Sequence, residues 1–504
     1  SHTLNTVQTL AYDNVFGDNH NFSAKIGHEY YLYHFEVLAA QKTKFFDLAN
    51  PELINGGQQE YSTSYNENHN IEGLFAMADY NYSNKYYLSA AYRLDGTSRF
   101  VGTNRWGNFW SVGAGWRISS EKWCADAKSW LNELKLRASY GTQGNEGLDN
   151  YTPYTDQYGV TWNGSELGYG QSYWGNPNIT WESQNTFDAG IDYRFCDRVY
   201  GSVDYYLTIN DNLLFQRPLA QSTGRPYRWE NIGKMQSQGV EFDINVDIFN
   251  SNDLRWTVGV VGAWNTNKIL TLPEENKADG ITSGNFKLFE GKSRYEYYLR
   301  QYAGMDENGK ALWYKEDPET HEVSKTHTYT EATKFWTGKT ALPALNGGFN
   351  TSFFFKGLDI SVQTAFQIGG WGYDVSYLDG MSTSYYVGHN KDMWNTYNPV
   401  TKTGSLPVWD AYDGSNSYGN SSDAHLVSAS YFNLKNVTIG YTFPAKWMNK
   451  AKIKALRIYA VGDNICLVSA RQGYDPRVSL SGGNSSFGGY APLMTISGGV
   501  QITF

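Results

Sequence analysis

The last segment of the chain, residues 494–504, alternates between apolar and polar side chains. Successive side chains of a β-strand point to opposite faces, so one face of this segment is apolar and the other is polar. A strand of about ten residues is long enough to cross a bilayer at a tilt, whereas soluble strands average about five or six. The segment therefore fits a transmembrane strand, and it also fits an edge strand of a soluble sheet. Its apolar face consists of Met494, Ile496, Val500, Ile502 and Phe504.

Runs of about ten residues with the same alternation recur along the chain, bounded by Gly, Asn, Asp or Ser. The clearest are 86–95, 110–119, 187–195, 199–209, 240–248, 358–368 and 437–443. Short connections such as 83–84 and 249–253 alternate with long ones, which are 144–180, 271–290, 315–345 and 371–425. Short turns at one end and long loops at the other are typical of an outer-membrane barrel. The pattern favours an all-β fold, an antiparallel transmembrane β-barrel with long extracellular loops.

Soluble β architectures, namely a sandwich, a propeller or a β-helix, are the alternatives to a barrel. No internal period of about 20–50 residues is apparent, which argues against propellers and solenoids. Unstructured connections beyond about fifteen residues are uncommon in compact soluble domains, and the long connections therefore argue against a sandwich. No run approaches the roughly 18 apolar residues that a membrane helix needs. A mean hydropathy of −0.54 is compatible with a barrel, since half of the residues in barrel strands are polar.

Several function classes receive no support from the sequence. The net charge is −9 and no Lys/Arg cluster is present, so no nucleic-acid partner is predicted. Cys124, Cys196 and Cys466 are widely spaced and form neither a disulfide framework nor a zinc motif. His28-Glu29 and His321-Glu322 lack the second histidine of a zinc protease motif. We predict no metal, no cofactor and no catalytic residue; a glycosidase is disfavoured rather than excluded, because carboxylate pairs are recognised by geometry.

One stretch, residues 79–123, contains the core Arg93-Leu-Asp-Gly-Thr-Ser-Arg-Phe100, which fits the pattern R-x-D-G-[ST]-S-R-F. Further motifs follow in order at 134–145, 176–182, 231–241, 436–444 and 473–476. From about residue 71 to Phe504, this set closely resembles the SusC/RagA-type TonB-dependent transporters of Bacteroidetes outer membranes. Two positions depart from the family pattern: Trp110 stands where Pro is usual, and Arg477 where an acid is common.

The resemblance implies that residues 1–504 are the C-terminal part of a multi-pass barrel in the lipid of the cell outer membrane. A complete barrel of this type has about 22 strands, of which this chain would supply roughly fourteen. A signal peptide, an N-terminal extension, a TonB box, a plug and the first barrel strands would precede Ser1, in an N-terminal part of the same transporter.

By the same resemblance, the whole protein would import oligosaccharides or oligopeptides across the outer membrane without breaking a bond. A SusD-like lipoprotein would close the extracellular mouth as a lid, and TonB would displace the plug through the missing N-terminal part. The alternative function, from another class, is a soluble secreted glycan-binding β protein that transports nothing.

The signature residues Arg93, Asp95, Ser98, Arg99 and Phe100 are predicted to be structural and to lie on the lumen side of a strand and its turn. Their charges would pair with each other or with the plug. Three acids of one strand, Glu241, Asp243 and Asp247, are expected to line a solvated wall.

Aromatic side chains in the long loops are the candidates for substrate binding, because sugar rings present apolar C–H faces to a π surface. Packing within the loops or against a partner is the alternative for each of them. The candidates are Trp162, Tyr173, Trp174, Trp371, Tyr373, Trp394 and Trp409.

Within the family, residues 494–504 would be the last barrel strand, ending in an aromatic residue that resembles a recognition signal for the assembly machinery. A barrel leaves no unpaired strand edge in lipid, so this strand would close against the first barrel strand. By the same resemblance, that strand would precede Ser1. We therefore expect the closing edge of residues 494–504 to pair with a separate polypeptide or to be open.

Overall fold

The computed structural model describes residues 1–47, 49–225, 227–383, 388–448, 453–477 and 492–504. Among these residues 28 strands are present, and 15 of them form one large sheet, which we call the wall sheet. Each wall strand neighbours the wall strands that precede and follow it in the chain. The wall strands are β1 (His2–Phe16), β2 (His20–Phe45), β3 (Gly56–Tyr82), β4 (Tyr86–Thr97), β5 (Trp106–Arg117), β6 (Leu131–Asn145), β9 (Glu182–Phe195), β10 (Val199–Asp211), β13 (Lys234–Asn250), β14 (Leu254–Thr271), β22 (Leu345–Phe355), β23 (Leu358–Ile368), β26 (Tyr431–Thr442), β27 (Ala455–Ser469) and β28 (Thr495–Thr503).

The remaining strands form small sheets within the connections between wall strands. They are β7 (Gln157–Asn163), β8 (Glu166–Tyr173), β11 (Leu214–Pro218), β12 (Tyr227–Asn231), β15 (Ile281–Ser283), β16 (Phe286–Leu288), β17 (Glu296–Arg300), β18 (Tyr302–Met305), β19 (Ala311–Glu316), β20 (Val323–Thr326), β21 (Lys334–Thr340), β24 (Trp371–Tyr373) and β25 (Leu426–Ser428). Two short helices, α1 (Val375–Gly380) and α2 (Ala445–Met448), lie between strands. Single 3₁₀ turns occur at Leu53–Asn55, Gly102–Arg105, Ile118–Ser120, Gln221–Thr223, Glu274–Asn276, Tyr329–Glu331, Lys391–Asn395, Gly414–Asn416 and Asp423–His425, and a longer 3₁₀ segment at Lys122–Ser129.

Most predicted strands are found where the alternation places them, and β23 has the predicted bounds. The alternation did not single out β1, β2 and β3, because large side chains such as Tyr30, Tyr31 and Tyr33 occur on both faces of β2. β2 and β3 contain 26 and 27 residues, far more than the roughly 9–11 that cross a bilayer. These two strands therefore extend well beyond the thickness of a membrane.

Connections between successive wall strands alternate in length, as predicted. β3 and β4 are joined at 83–85, where Ser83 and Asn84 adopt positive φ, and β22 and β23 are joined by Lys356 and Gly357, which do the same. The connections on the other side include 146–181, 272–344 and 369–430. The prediction of two separate long connections at 271–290 and 315–345 is wrong. Both belong to a single connection, 272–344, because its strands β15 to β21 pair with one another and not with the wall sheet.

Large apolar side chains of the wall strands are exposed, whereas the buried clusters lie mainly in the connections. Leu88, Val112 and Ile439 are 56%, 49% and 48% exposed. A soluble monomer rarely exposes apolar side chains over so long a series of strands, whereas lipid accommodates such a surface. No helix among the described residues is long and apolar enough to span a membrane.

The last strand, β28, pairs antiparallel with β27 from Ala455↔Thr503 to Asp463↔Thr495. The apolar side chains of residues 494–504 are between 46% and 77% exposed, and the polar side chains between them are exposed as well. That the apolar residues form the outward face stays a prediction. β1 and β28 stand at the two ends of the strand order, and the second edge of β28 has no strand partner among the described residues. That this edge closes against a strand outside residues 1–504 stays a prediction.

By its internal contacts the chain divides into two compact units. Unit 1 comprises Ser1–Ala125, Lys135–Ala189 and Thr208–Met235, and contains the signature and the β7–β8 hairpin. Unit 2 comprises Asp126–Leu134, Gly190–Leu207 and Gln236–Phe504, and contains the connections 272–344 and 369–430. That residues 1–504 form one barrel domain stays a prediction.

Candidate functional site

The signature begins with an ion-paired group at the end of β4. Arg93 Nε donates to Asp95 Oδ1 and Oδ2 at 2.7 and 2.8 Å, and Arg93 Nη2 donates to Glu29 Oε2 at 2.7 Å. The two residues of the motif lie on the same side of β4 because they are two positions apart. Arg93 and Asp95 of the signature therefore pair with each other. Glu29 is a further partner of Arg93 that the sequence motif does not reveal. Glu29 belongs to β2, so the contact ties strands that are distant in sequence.

Gly73 of β3 lies beneath this group, opposite Asp95 in the β3–β4 ladder. A Cβ at Gly73 would stand 2.5 Å from Asp95 Oδ1 and 2.6 Å from Arg93 Nη2. We expect Gly73→Ala to displace the ion pair and destabilise the folded protein by about 1–3 kcal/mol, which is typical of overpacking. Denaturant unfolding of the detergent-solubilised protein measures this. Gly115→Ala is the matched control, since its Cβ would meet atoms at an ordinary 3.4 Å, and an equal loss for both variants would contradict the prediction.

The second half of the signature holds the connection 146–181. Ser98 N donates to Asn70 O at 2.9 Å, and Ser98 Oγ accepts from Asn70 N at 3.0 Å. Arg99 Nη1 donates to Glu146 O at 2.9 Å, and its guanidinium lies 4.8 Å from the centre of the Tyr151 ring. Glu146 Oε1 also forms a hydrogen bond of 2.8 Å with Nε2 of His69, which belongs to β3. The side chains of this turn thus form hydrogen bonds with the backbone of neighbouring segments.

Phe100 is fully buried and completes the signature. Its ring meets the Trp181 ring edge-on, with the ring centres 5.7 Å apart, and Phe109 meets the same indole at 5.4 Å. A Cβ at Gly144 would overlap the Phe109 ring, which explains the glycine of the predicted motif at 144–145. Leu148 and Ile179 close the cluster. Residues from β5 and from both ends of the connection 146–181 are therefore joined by one apolar cluster.

Two other family-like motifs contact each other in unit 1. Thr180 N donates to Asn231 Oδ1 at 2.8 Å, and Asn231 Nδ2 donates to Thr180 O at 2.8 Å. Asn176 is buried, and its Nδ2 donates to Trp229 O at 2.9 Å. The motifs at 176–182 and 231–233 therefore hold together two backbone segments that are about 50 residues apart in sequence. The spacing of the motifs alone does not reveal this contact.

Three of the seven aromatic candidates lie in the connection 146–181. Trp162 is 67% exposed on the β7–β8 hairpin, on the face shared with Val160 and Tyr169. Tyr173 is partly buried; its hydroxyl donates to Pro153 O at 3.3 Å, and burial raises its pKa to about 12. Trp174 follows directly in the chain and is 37% exposed. Trp162 thus presents its ring to solvent, whereas Tyr173 packs within the connection.

The other four candidates lie in the connection 369–430. Trp371 and Tyr373 are two residues apart on β24. Tyr373 belongs to a buried cluster with Tyr297, and the partly buried Trp371 packs against this cluster. The Trp371 ring lies 4.0 Å from Lys339 Nζ. Tyr373 is only 3% exposed, its hydroxyl donates to Ser421 Oγ at 2.7 Å, and burial raises its pKa to about 12. In this structure Tyr373 therefore packs inside the loops, which is the alternative that the sequence left open.

Trp394 and Trp409 have different surroundings from the β24 pair. Trp394 is 91% exposed in the 3₁₀ turn Lys391–Asn395. Trp409 Nε1 donates to Ser382 O at 3.3 Å, and its ring meets His389 edge-on with the ring centres 5.8 Å apart. Substrate contact by any of the seven aromatic residues stays a prediction.

The connection 369–430 contains a buried histidine, His425, and it is joined to the segment after β27 by the ion pair of Asp374 with Arg471. No sequence motif singled out either feature. His425 is fully buried, and its Nε2 lies 3.1 and 3.2 Å from the carbonyl oxygens of Tyr418 and Asn420. Asp374 accepts from Tyr377 N at the start of α1 and from Arg471 Nη1 at 3.0 Å. His425 stands between Ala424 and Leu426 and belongs to no motif, so the sequence alone did not single it out.

The segment after β27 contains the motif at 473–476. Tyr474 and Asp475 are buried, and Arg477 Nε and Nη2 donate to the two oxygens of Asp475 at 2.8 and 2.6 Å. The departure from the family pattern at Arg477 therefore supplies an internal partner for the Asp475 carboxylate.

Among the described residues, no group of three or more His, Cys, Asp or Glu side chains is placed to hold a metal ion. Of the predicted wall acids, Asp243 accepts from Asn245 Nδ2 at 2.7 Å and Asp247 from Thr257 Oγ1 at 2.7 Å, so both have neutral partners.

Comparison with known proteins agrees with this architecture. The family model described as "TonB dependent receptor-like, beta-barrel" matches residues 1–465. TonB-dependent receptor P3 of Formosa agariphila is 25% identical over 535 residues, covering 100% of this chain and 52% of that protein. TonB-dependent receptor SusC of Bacteroides thetaiotaomicron is 27% identical over 439 residues, covering 82% of this chain and 42% of that protein. The chain spans about half the length of the curated relatives it matches.

The solved structure of the RagAB peptide transporter superposes with a TM-score of 0.86 at 23% identity, covering 100% of this chain and 55% of that one. At this identity the superposition bears on the fold alone, and it matches the antiparallel wall sheet described above. The family model and the SusC relative place the protein in the outer membrane, and the chain belongs to the TonB-dependent receptor-like β-barrel family.

Proposed function

We propose that this chain is the C-terminal part of the barrel of an importer that takes up oligosaccharides across the outer membrane, with energy delivered through TonB. Oligopeptides are the second candidate substrate, because RagAB is a peptide transporter. The proposal includes a SusD-like lipoprotein as the lid, and it assigns no catalytic step to the chain.

The observation that carries the proposal is the asymmetry of the wall sheet. Connections on one side are mostly short turns, whereas those on the other side contain small sheets and buried aromatic clusters. A chain that only had to anchor itself in a membrane would not need folded connections of this size. Loops that are folded on a rigid barrel are the usual position for residues that recognise a ligand.

Uptake by the bacterium that carries the gene tests the proposal. Deletion of the gene is expected to abolish accumulation of a fluorescently labelled oligosaccharide that supports growth, and inactivation of TonB should have the same effect. Uptake that persists without TonB would contradict the proposed mechanism. Labelled oligopeptides in the same assay decide between the two substrate classes, and release of cleaved products by the purified complex would revive an enzymatic function.

Membrane extraction tests whether a lipoprotein lid is associated with the protein. It also tests the alternative function, a soluble glycan-binding protein. The transporter should leave the membrane only with detergent, and a lipoprotein should copurify with it. Recovery of the protein in carbonate without detergent would instead support a soluble glycan-binding protein.

A further inference from the structure

A short ladder in the connection 272–344 has one apolar face and one cationic face. In the pairing of β17 with β21, Tyr298 lies opposite Trp336 and Arg300 lies opposite Lys334. Opposite residues of an antiparallel ladder share a face, as do residues two apart. Tyr298, Arg300, Lys334 and Trp336 therefore share one face and are all partly exposed. The other face carries Tyr297 and Leu299, which are buried.

Two further cations lie against the rings of this face. Lys287 Nζ is 4.5 Å from the centre of the Tyr298 ring, and Lys292 Nζ is 5.0 Å from the centre of the Trp336 ring. We call Lys287, Lys292, Arg300 and Lys334, with these two rings, the cationic face. Lys292 Nζ donates a hydrogen bond to the Glu296 carboxylate at 3.0 Å, and this carboxylate neutralises part of the positive charge of the cationic face. This concentration of positive charge occurs in a chain whose net charge is −9.

Arg300 is held in place by neutral groups. Its Nε donates to Ala332 O at 3.0 Å, and its guanidinium lies 4.5 Å from the centre of the Tyr329 ring. The Tyr329 hydroxyl in turn donates to Ser421 O at 2.7 Å. A ring or a carbonyl group fixes a cation without cancelling its charge, whereas a carboxylate would cancel it. The contacts that hold the Arg300 guanidinium thus leave its positive charge in place.

Lys334 stands directly opposite this guanidinium. Like charges at opposite positions of a ladder are destabilising. Burial, and then the charge of Arg300, lowers the pKa of the Lys334 ammonium, which agrees with two cations in proximity. In the part of the chain that the structure describes, no carboxylate lies within ion-pair distance of Arg300 or Lys334. An anion bound by both would remove this repulsion.

We propose that the cationic face binds an anionic oligosaccharide, one that carries carboxylate or sulfate groups, with Arg300 and Lys334 on an anionic group. The inference rests on the proposed import function and names its substrate class. Guanidinium groups bind such oxyanions through paired N–H donors. Anionic groups attached to a sugar ring are held at fixed positions, which suits cations that are themselves fixed. Acidic side chains of a peptide are flexible and lose more conformational entropy on binding.

Equilibrium binding to the full-length transporter complex in detergent tests this, with chondroitin 4-sulfate hexasaccharide as the probe. The double variant Arg300→Gln/Lys334→Gln is expected to weaken binding about tenfold or more, since two charge-assisted contacts are lost. The matched control is Lys277→Gln/Lys315→Gln, which removes two charges from the same connection. Lys277 and Lys315 pair with Glu274 and Glu331, and this variant should change the affinity less than about threefold.

A second measurement covers the case in which the double variant does not fold. Probe binding to the unmodified complex should slow amine-specific labelling of Lys334, because a bound anion stabilises the charged ammonium. Equal weakening by both double variants, or unchanged labelling, would overturn the proposal. Tighter binding of hexaglutamate than of the hexasaccharide would assign the face to acidic peptides instead. A transporter that imports maltohexaose through TonB but binds no anionic probe would refute this inference alone and leave the import function standing.

Discussion

Phe100→Ala is expected to destabilise the packing of the connection 146–181 by about 3–5 kcal/mol, the usual cost of truncating a buried phenylalanine. Phe100 is 0% exposed and packs against Trp181, which is 8% exposed. The Trp181 indole also donates its N–H to Arg105 O at 2.9 Å. Loss of the Phe100 ring leaves a cavity beside this indole, and the ends of the connection lose their common contact.

Hydrogen exchange measures this effect locally. Backbone amides of residues 146–181 should exchange much faster in the variant, whereas amides of wall strands remote from the cluster should be little changed. Phe46→Ala is the control, because Phe46 is fully exposed in the connection between β2 and β3, and a surface change of this kind is usually within about 0.5 kcal/mol. Equal exchange in the two variants would show that Phe100 does not hold the connection.

Folding of the connection 369–430 is expected to weaken as the pH falls from 6.5 to 4, because of His425. Burial lowers the pKa of His425 from 6.5 to about 4, against the opposing effect of the Tyr418 and Asn420 carbonyl groups. Arg471 lowers this pKa further, whereas Asp374 raises it. The unfolded connection binds a proton below pH 6.5 and the folded one does not, so the stabilising contribution is complete above pH 6.5. As the pH falls from 6.5 to 4, this stabilising contribution decreases by about 3 kcal/mol in total.

Protease susceptibility of residues 369–430, measured between pH 7.5 and 4, provides the test. The unmodified protein should become more sensitive below pH 6.5. His425→Gln removes this titrating group, so the increase in sensitivity below pH 6.5 should be largely lost in this variant, whatever its absolute stability. His321→Gln is the control, since His321 is exposed and its pH response should match that of the unmodified protein. A pH response retained by His425→Gln would assign the effect to another group.

Much of the wall sheet could be predicted from alternation, because a strand with lipid on one side and water on the other must alternate. Residues 358–368 and 494–504 show this, since their strands lie within about one residue of the predicted bounds. The motif 93–100 likewise contained its own ion pair, because Arg93 and Asp95 are two positions apart on one strand.

Partners that come from distant segments could not be predicted in the same way. Glu29 is 64 residues from Arg93, and the alternation around Glu29 is too weak to indicate which face it occupies. The pairing of β17 with β21, which brings Arg300 opposite Lys334, depends on a long connection folding on itself. Tyr373 and Trp394 are both aromatic residues of the connection 369–430, yet one is buried and the other exposed.

The sequence by itself determined the class of fold, the outward apolar face of the wall and the family, because these depend on periodicity and on motifs that are local in the chain. Only the tertiary structure decided which loop aromatics are exposed, which carboxylate meets Arg93 and which cations have no carboxylate beside them among the residues that the structure describes. The physical reason is that burial and electrostatic compensation depend on distance in space. Residues such as Arg300 and Lys334 become neighbours only when strands far apart in the chain pair.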